Sequence, residues 1–329
     1  MRRDLSKEHQ EVLSIADVDA LNLLGVGDKH LRILEEDFDG RITVRGDKVV
    51  LAGPRAKVDE LAAVFLELIE LAKTGRSLSE QDVHYALSLH RESQVQRLSD
   101  LEGAVFHSSA QGAVRPKTLG QKLYVEAMES HDIVFAIGPA GTGKSYLAIA
   151  HALALLRDRK VERLILVRPA VEAGESLGFL PGDLQEKIDP YVRPLYDALF
   201  DMLGAAKTKR LIESGVVEAL PLAYMRGRTL NAAYAVLDEA QNTTMMQMKM
   251  FLTRLGNGSQ AVITGDITQI DLDPPESSGL LAARRLLDGI DGIKFVILDD
   301  KDVVRHHLVR RIIQAFENDG PGKARDVSR

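Results

Sequence analysis

The residues best suited to do chemistry form one run, Gly138-Pro139-Ala140-Gly141-Thr142-Gly143-Lys144-Ser145. It satisfies GxxxxGK[ST] at every fixed position, follows an apolar stretch at 133–137 and opens a helix-forming stretch. That context is what a phosphate-binding loop requires. Its glycines let backbone N–H groups turn inward around phosphates, and the helix N-terminus adds partial positive charge. Lys144 is expected to reach the β- and γ-phosphates and the Ser145 hydroxyl to bind magnesium, so ATP and Mg2+ are the expected ligands.

Two further runs follow apolar stretches. Tyr234-Ala235-Val236-Leu237 ends in Asp238-Glu239, two carboxylates where open α/β sheets bind ligands. Asp238 is expected to hold magnesium and Glu239 to orient or deprotonate the attacking water. Thr264-Gly265-Asp266-Ile267-Thr268-Gln269 follows the next apolar stretch, and Gln269 can bond the γ-phosphate or that water. Gln121, shortly after Lys117-Thr118, has an amide that can pair with N6 and N7 of adenine, which would select ATP over GTP; an exposed helical glutamine is the alternative. Arg168 to Gly182 is a long glycine-punctuated loop after a strand, read either as a second ligand loop or as a surface connection. Met245, Met246, Met248 and Met250 read as core packing on one helix. His306 and His307 are adjacent on a predicted helix and point apart, which argues against a metal site.

These residues need a scaffold. Short aliphatic stretches at 133–137, 164–167, 216–219, 233–237, 261–264 and 295–298 alternate with helical ones. Strands apolar on every residue fit a parallel sheet buried on both faces. Residues 116–317 are therefore expected to form one α/β P-loop NTPase domain. Residues 1–75 read as a small α+β unit. In it 18–24 is strand-like, Asp39-Gly40 is a hairpin-type turn before a strand pair at 42–44 and 49–51, and Pro54 opens a helix. Residues 76–115 read as a helical segment, with Ser79 and Asp82 spaced as a capping box, and a linker. Residues 318–329 read as a disordered polar tail.

With 329 residues and 45% hydrophobic composition, the chain can bury two cores. It contains no cysteine, which excludes disulfides and thiolate-bound metal and suits a reducing cytoplasm. The first ten residues lack the apolar run of a secretory signal, and no stretch is long enough to span a bilayer, so no membrane partner is expected. Net charge is −6, so a nucleic-acid partner would need a local basic surface.

The chain resembles the PhoH-like ATPase family, in its PhoH/YbeZ branch. The likeness rests on Lys117-Thr118 with Gln121, GPAGTGKS at 138–145, GESLGFLPG at 174–182, RPLY at 193–196, LDEAQNTT at 237–244, ITGDITQIDL at 263–272 and DVVRHHLV at 302–309. Asp273-Pro274-Pro275 departs from the family, which runs straight from Asp-Leu to Pro. The resemblance implies a RecA-like core and an ATPase of RNA metabolism with motifs similar to superfamily 1 helicases. LDEAQ is then the second motif, GDxxQ the third and Gln121 the adenine reader. It also implies association with a YbeY-like endoribonuclease and ribosome-linked RNA processing. The amino-terminal unit resembles a KH-type RNA-binding fold. Its glycines, however, are Gly25 and Gly27 rather than Gly-x-x-Gly, and residues 1–75 hold eleven Lys/Arg against fifteen Asp/Glu.

Superfamily 1 helicases place ATP between two motor domains, and this chain has length for one. Two classes of function follow: an RNA-remodelling motor, or an ATP-dependent switch that binds a nuclease and unwinds nothing. A motor would act as a homo-oligomer, a ring or a dimer, with an arginine supplied in trans. Arg305 is the first candidate and Arg254 the second, with Arg226 and Arg228 also near the motifs.

Overall fold

The computed structural model describes residues 9–36, 38–75, 77–91, 106–108, 112–169 and 184–303. Within them lie two packed units.

The first unit holds β1 (His9–Ser14), α1 (Ala20–Leu24), α2 (Lys29–Glu36), β2 (Arg41–Arg45), β3 (Lys48–Gly53), α3 (Arg55–Lys73) and α4 (Glu80–Arg91). Its antiparallel sheet has the order β1-β3-β2. Val58, Leu61, Phe65 and Leu68 of α3 pack with Val49 and Leu51 of β3, and Val83, Ala86 and Leu87 of α4 join the same core. The helix grouped with the linker on sequence thus packs into the first unit, and its capping box forms: Ser79 N donates to Asp82 Oδ2 at 2.8 Å and Asp82 N to Ser79 Oγ at 3.4 Å.

Two local expectations are corrected. Residues 18–24 are a turn and helix, not a strand. Asp19 caps the helix by accepting from Leu21 N at 2.9 Å, and Ala-Leu-Asn-Leu-Leu has no β-branched side chain to oppose it. The hairpin turn joining β2 and β3 is Gly46-Asp47, with Gly46 at φ 59°; Asp39-Gly40 only leads into β2. In the stretch read as linker, β4 (Phe106–Ser108) and β5 (Gly112–Val114) pair antiparallel, and Val114 packs on the second unit.

The second unit is built on β6 (Ile133–Ile137), β7 (Arg163–Arg168), β8 (Val217–Pro221), β9 (Ala233–Leu237), β10 (Gln260–Gly265) and β11 (Ile293–Ile297). All pair parallel in the order β11-β6-β10-β9-β7-β8. The strand before the P-loop therefore sits between the fifth and sixth strands of the core, and β9 and β10 fill the gap that the chain leaves on passing from β6 to β7. This is the RecA-like P-loop NTPase arrangement, with its crevice at the carboxyl edge of the strands. Alternate strand residues face opposite layers. Val134, Ala136, Leu164, Leu166 and Val236 pack under α5 (Leu119–Ser130), α6 (Lys144–Arg157) and α7 (Leu184–Leu203). Phe135, Ile137, Ile165, Val167 and Leu237 pack under α9 (Met245–Leu252) and α10 (Gly279–Leu287). A short α8 (Ala205–Glu213) leads into β8.

Of the methionines read as core, Met248 is buried, whereas Met245 and Met246 are 53% and 79% exposed because they open α9 at the sheet edge. The 174–182 motif, Arg305, His306, His307 and the tail lie outside the described residues. Among the described residues no helix is long and apolar enough to cross a membrane.

Candidate nucleotide site

The P-loop joins β6 to α6. Gly143 precedes α6 at φ 79°, a left-handed conformation that costs a side chain energy. A Cβ at Gly138 would collide with the Leu298 carbonyl at the end of β11. Lys144 is buried, and its Nζ donates to the Gly138 carbonyl at 2.6 Å and the Pro139 carbonyl at 2.8 Å. The Tyr124 hydroxyl on α5 donates to the Lys144 carbonyl at 3.1 Å, and burial pushes that phenol well above its usual range. Gln121 leans on the same loop: its Nε2 donates to the Thr142 carbonyl at 3.1 Å and its Oε1 accepts from Lys117 N at 2.7 Å.

Opposite the loop, the ends of β9 and β10 supply oxygens. Asp238 Oδ1 accepts from Ser145 Oγ at 2.5 Å and from Thr264 Oγ1 at 2.7 Å. One carboxylate and two hydroxyls converging in this way are the hard, compact donor set that magnesium prefers, usually completed by water and phosphate oxygens. Ser145 and Asp238 would hold the ion, which would supply neutralisation of phosphate charge.

Glu239 follows at φ 54°, ψ 39° and is half-buried. Its Oε1 accepts from Arg168 Nη2 at 2.9 Å and its Oε2 from Gln241 Nε2 at 2.7 Å. Gln241, 1% exposed, also accepts from Asp266 N at 3.0 Å and donates to the Gln269 carbonyl at 3.2 Å. One buried amide thus joins the segments that follow β9 and β10. Asn242 and Asp271 add a second bridge, side chain to side chain at 2.9 Å and backbone to side chain at 2.8 Å. The Gln269 side chain donates to Asp266 Oδ2 at 2.9 Å, so it meets Glu239 only through Gln241.

The first and last motifs of the core also meet. Thr118 Oγ1 donates to Asp302 Oδ1 at 2.5 Å and accepts from Gln121 N at 3.1 Å, which caps α5. Burial pushes the Asp302 carboxyl up, opposed by the Thr118 hydroxyl. Tyr85 on α4, its phenol pushed up to about 12 chiefly by burial, accepts from Leu119 N at 2.7 Å and so joins the first unit to α5.

The family model for PhoH-like protein matches residues 113–317, which contain every site residue above except Tyr85. A PhoH-like protein of Bacillus subtilis (strain 168) is 50% identical over 300 residues, covering 91% of this chain and 94% of its own length. A PhoH-like protein of Mycobacterium tuberculosis (strain ATCC 25618 / H37Rv) is 50% identical over 312 residues, covering 94% and 89%. This chain belongs to the PhoH-like family. Protein PhoH of Escherichia coli (strain K12) is 45% identical over a shorter span of 195 residues, 59% of this chain and 55% of its own length.

Within this PhoH-like core the structure adds three residues to those read from sequence: Arg168, Gln241 and Thr264. Each carried a weak signal, a polar side chain at or just past the carboxyl end of an apolar strand, yet only the strand register reveals its partners. The arginine candidates separate. Arg254 follows α9 back to the amino edge of the sheet, away from the P-loop, where it donates to the Met250 and Arg228 carbonyls at 3.3 Å. Arg228 pairs with Glu218 at 2.9 Å, and Arg226 is exposed.

Proposed function

We propose that this PhoH-like protein binds ATP with magnesium and hydrolyses it. The observation that carries the proposal is the convergence of Ser145, Thr264 and Asp238 on one oxygen cluster facing the P-loop, with Glu239 beside it. Lys144 binds the β- and γ-phosphates, and the N–H groups at the start of α6 cradle them. Glu239 orients the attacking water and takes its proton, while Gln241 passes the state of that carboxylate to Asp266 and Gln269. Gln121 and the Thr118–Asp302 clamp form the adenine side.

The energy of hydrolysis is directed at RNA in this proposal, through a ring whose neighbouring subunit supplies an arginine. The turn Val26-Gly27-Asp28 between α1 and α2 is exposed and offers RNA a contact in the first unit, although Asp28 places a negative charge there. One motor core among the described residues also fits a second role, a switch that binds a YbeY-like endoribonuclease only in one nucleotide state. Steady-state ATPase turnover with and without RNA, together with mass by light scattering in both nucleotide states, tests the proposal. RNA-stimulated, magnesium-dependent turnover by an oligomer supports the motor. Nucleotide-gated nuclease binding without RNA stimulation favours the switch. Wild-type protein that releases no phosphate in either condition overturns the hydrolysis itself.

A further inference from the structure

Strand register brings Arg168 to the site. β7 and β9 run parallel with Val167 beside Leu237, and Asp238 N donates to the Val167 carbonyl at 2.8 Å. The last residue of β7 and the two acids beyond β9 therefore leave the sheet on the same edge, side by side. Arg168 Nη2 donates to Glu239 Oε1 at 2.9 Å, and its Nε lies 3.9 Å from Asp238 Oδ2. The other Asp238 oxygen receives Ser145 and Thr264. The guanidinium thus spans both acids through the carboxylate oxygens that Ser145, Thr264 and Gln241 leave to it. Its side chain is 21% exposed, so solvent screens the pair only partly.

Glu239 needs holding. Its φ of 54° and ψ of 39° lie in the left-handed region, which is unfavourable for a non-glycine residue and persists only where surroundings impose it. The backbone is tied by Asn242 N, which donates to the Glu239 carbonyl at 3.1 Å, and two side chains fix the carboxylate, one from each flank. Gln241 ties one carboxylate oxygen to the third motif, and Arg168 ties the other to β7. With both in place the carboxylate cannot swing toward solvent, yet each oxygen keeps a lone pair for water.

We propose that Arg168 is a positioning residue for hydrolysis: it acts on the attacking water only through Glu239, by holding that carboxylate at the phosphate edge. The proposal rests on the assignment of Glu239 to the water. It differs from two other uses of an arginine at this place, direct contact with the γ-phosphate and restraint of Glu239 in an idle pose.

A double-mutant cycle on the full chain separates these. Turnover and ATP-analogue affinity are measured for wild type, Arg168→Ala, Arg168→Lys, Glu239→Gln and the Arg168→Ala/Glu239→Gln double variant, with melting temperatures alongside. Misplacing a catalytic group by about 1 Å can cost roughly 10²-fold, so Arg168→Ala should lower kcat by about one to two orders of magnitude with KM and analogue affinity little changed. Lysine should recover part of kcat, since it keeps the charge but not the planar fork. In the Glu239→Gln background, Arg168→Ala should cost almost nothing more. Equal loss in both backgrounds overturns the proposal and assigns Arg168 to the phosphate or to the fold. Turnover above wild type in Arg168→Ala overturns it in favour of restraint. Wild-type turnover in Arg168→Ala overturns it outright. Full activity of Glu239→Gln alone removes the premise and the proposal with it, a result read independently of the arginine variants. If the alanine variant does not fold, Arg168→Lys in both backgrounds carries the same comparison.

Discussion

Replacing Lys144 with methionine keeps the aliphatic stem and removes the ammonium, and its effect should split cleanly between the free and the nucleotide-bound protein. In the free fold Lys144 is 9% exposed, and its ammonium is held by the Gly138 and Pro139 carbonyls. Losing hydrogen bonds to a charged group costs about 1.5–3 kcal/mol each, but a buried cation itself carries a desolvation penalty of several kcal/mol. The two oppose each other, so the stability of the free protein should shift by only about 1 kcal/mol in either direction. Binding is different. Wild type at a ligand concentration of about 100 times Kd gains about 2.7 kcal/mol, which for a core of this size raises Tm by about 5–11 °C. Loss of charge-assisted contacts to two phosphates costs about 3 kcal/mol, or somewhat more than 100-fold in affinity. The same nucleotide concentration then lies somewhat below Kd, and the gain falls to about 0.3 kcal/mol, a shift of about 1 °C. Differential scanning calorimetry with and without a magnesium-bound, non-hydrolysable ATP analogue measures both quantities. A variant that keeps the full nucleotide shift would refute the placement of the phosphates against Lys144. Collapse of the free variant by many degrees would refute the claim that its two terms nearly cancel.

Gln121→Ala should weaken ATP more than GTP in competition binding; equal losses would show that bridging Lys117 N and the Thr142 carbonyl is its whole role. His151, bonded to the Tyr234 hydroxyl at 2.9 Å, has its pKa lowered from 6.5 to about 4 by burial, with Lys160 adding to the shift. As pH falls from about 6.5 to 4 the unfolded chain takes up a proton that the folded chain does not, so this site should remove up to about 3 kcal/mol of stability across that window. Urea melts of wild type and His151→Gln at pH 7 and 4.5 test it, with the same pH dependence in both assigning the effect elsewhere. Mixing inactive Lys144→Ala with inactive Arg305→Ala protein should restore part of the ATPase activity if an arginine is given in trans; no recovery, with specific activity independent of concentration down to monomer, ends that idea.

The chemistry of the nucleotide side was legible in the linear chain because it is local. A P-loop works through consecutive backbone N–H groups and two adjacent side chains, so the order of residues from Gly138 to Ser145 is enough to propose one. The core strands were legible for a related reason: a strand buried on both faces must be apolar at every residue, and 133–137 and 233–237 match the observed β6 and β9 end for end. The first unit was less legible. Residues 18–24 are apolar enough for either a strand or a helix, and the choice rests on the Asp19 cap and on packing against α2 and α3.

What only the tertiary structure decided is which side chains serve which. Arg168 and Glu239 are 71 residues apart, and Ser145 and Asp238 are 93 apart; each pair meets because parallel strand order and register bring distant strand ends to one edge. The sequence marks Gln269 as a polar residue near the phosphates, but the fold turns its amide onto Asp266 and gives the buried bridging place to Gln241. A side chain's neighbours across a sheet depend on strand order, and strand order is set by the packing of two layers of helices on a whole domain. No local stretch of residues carries that information.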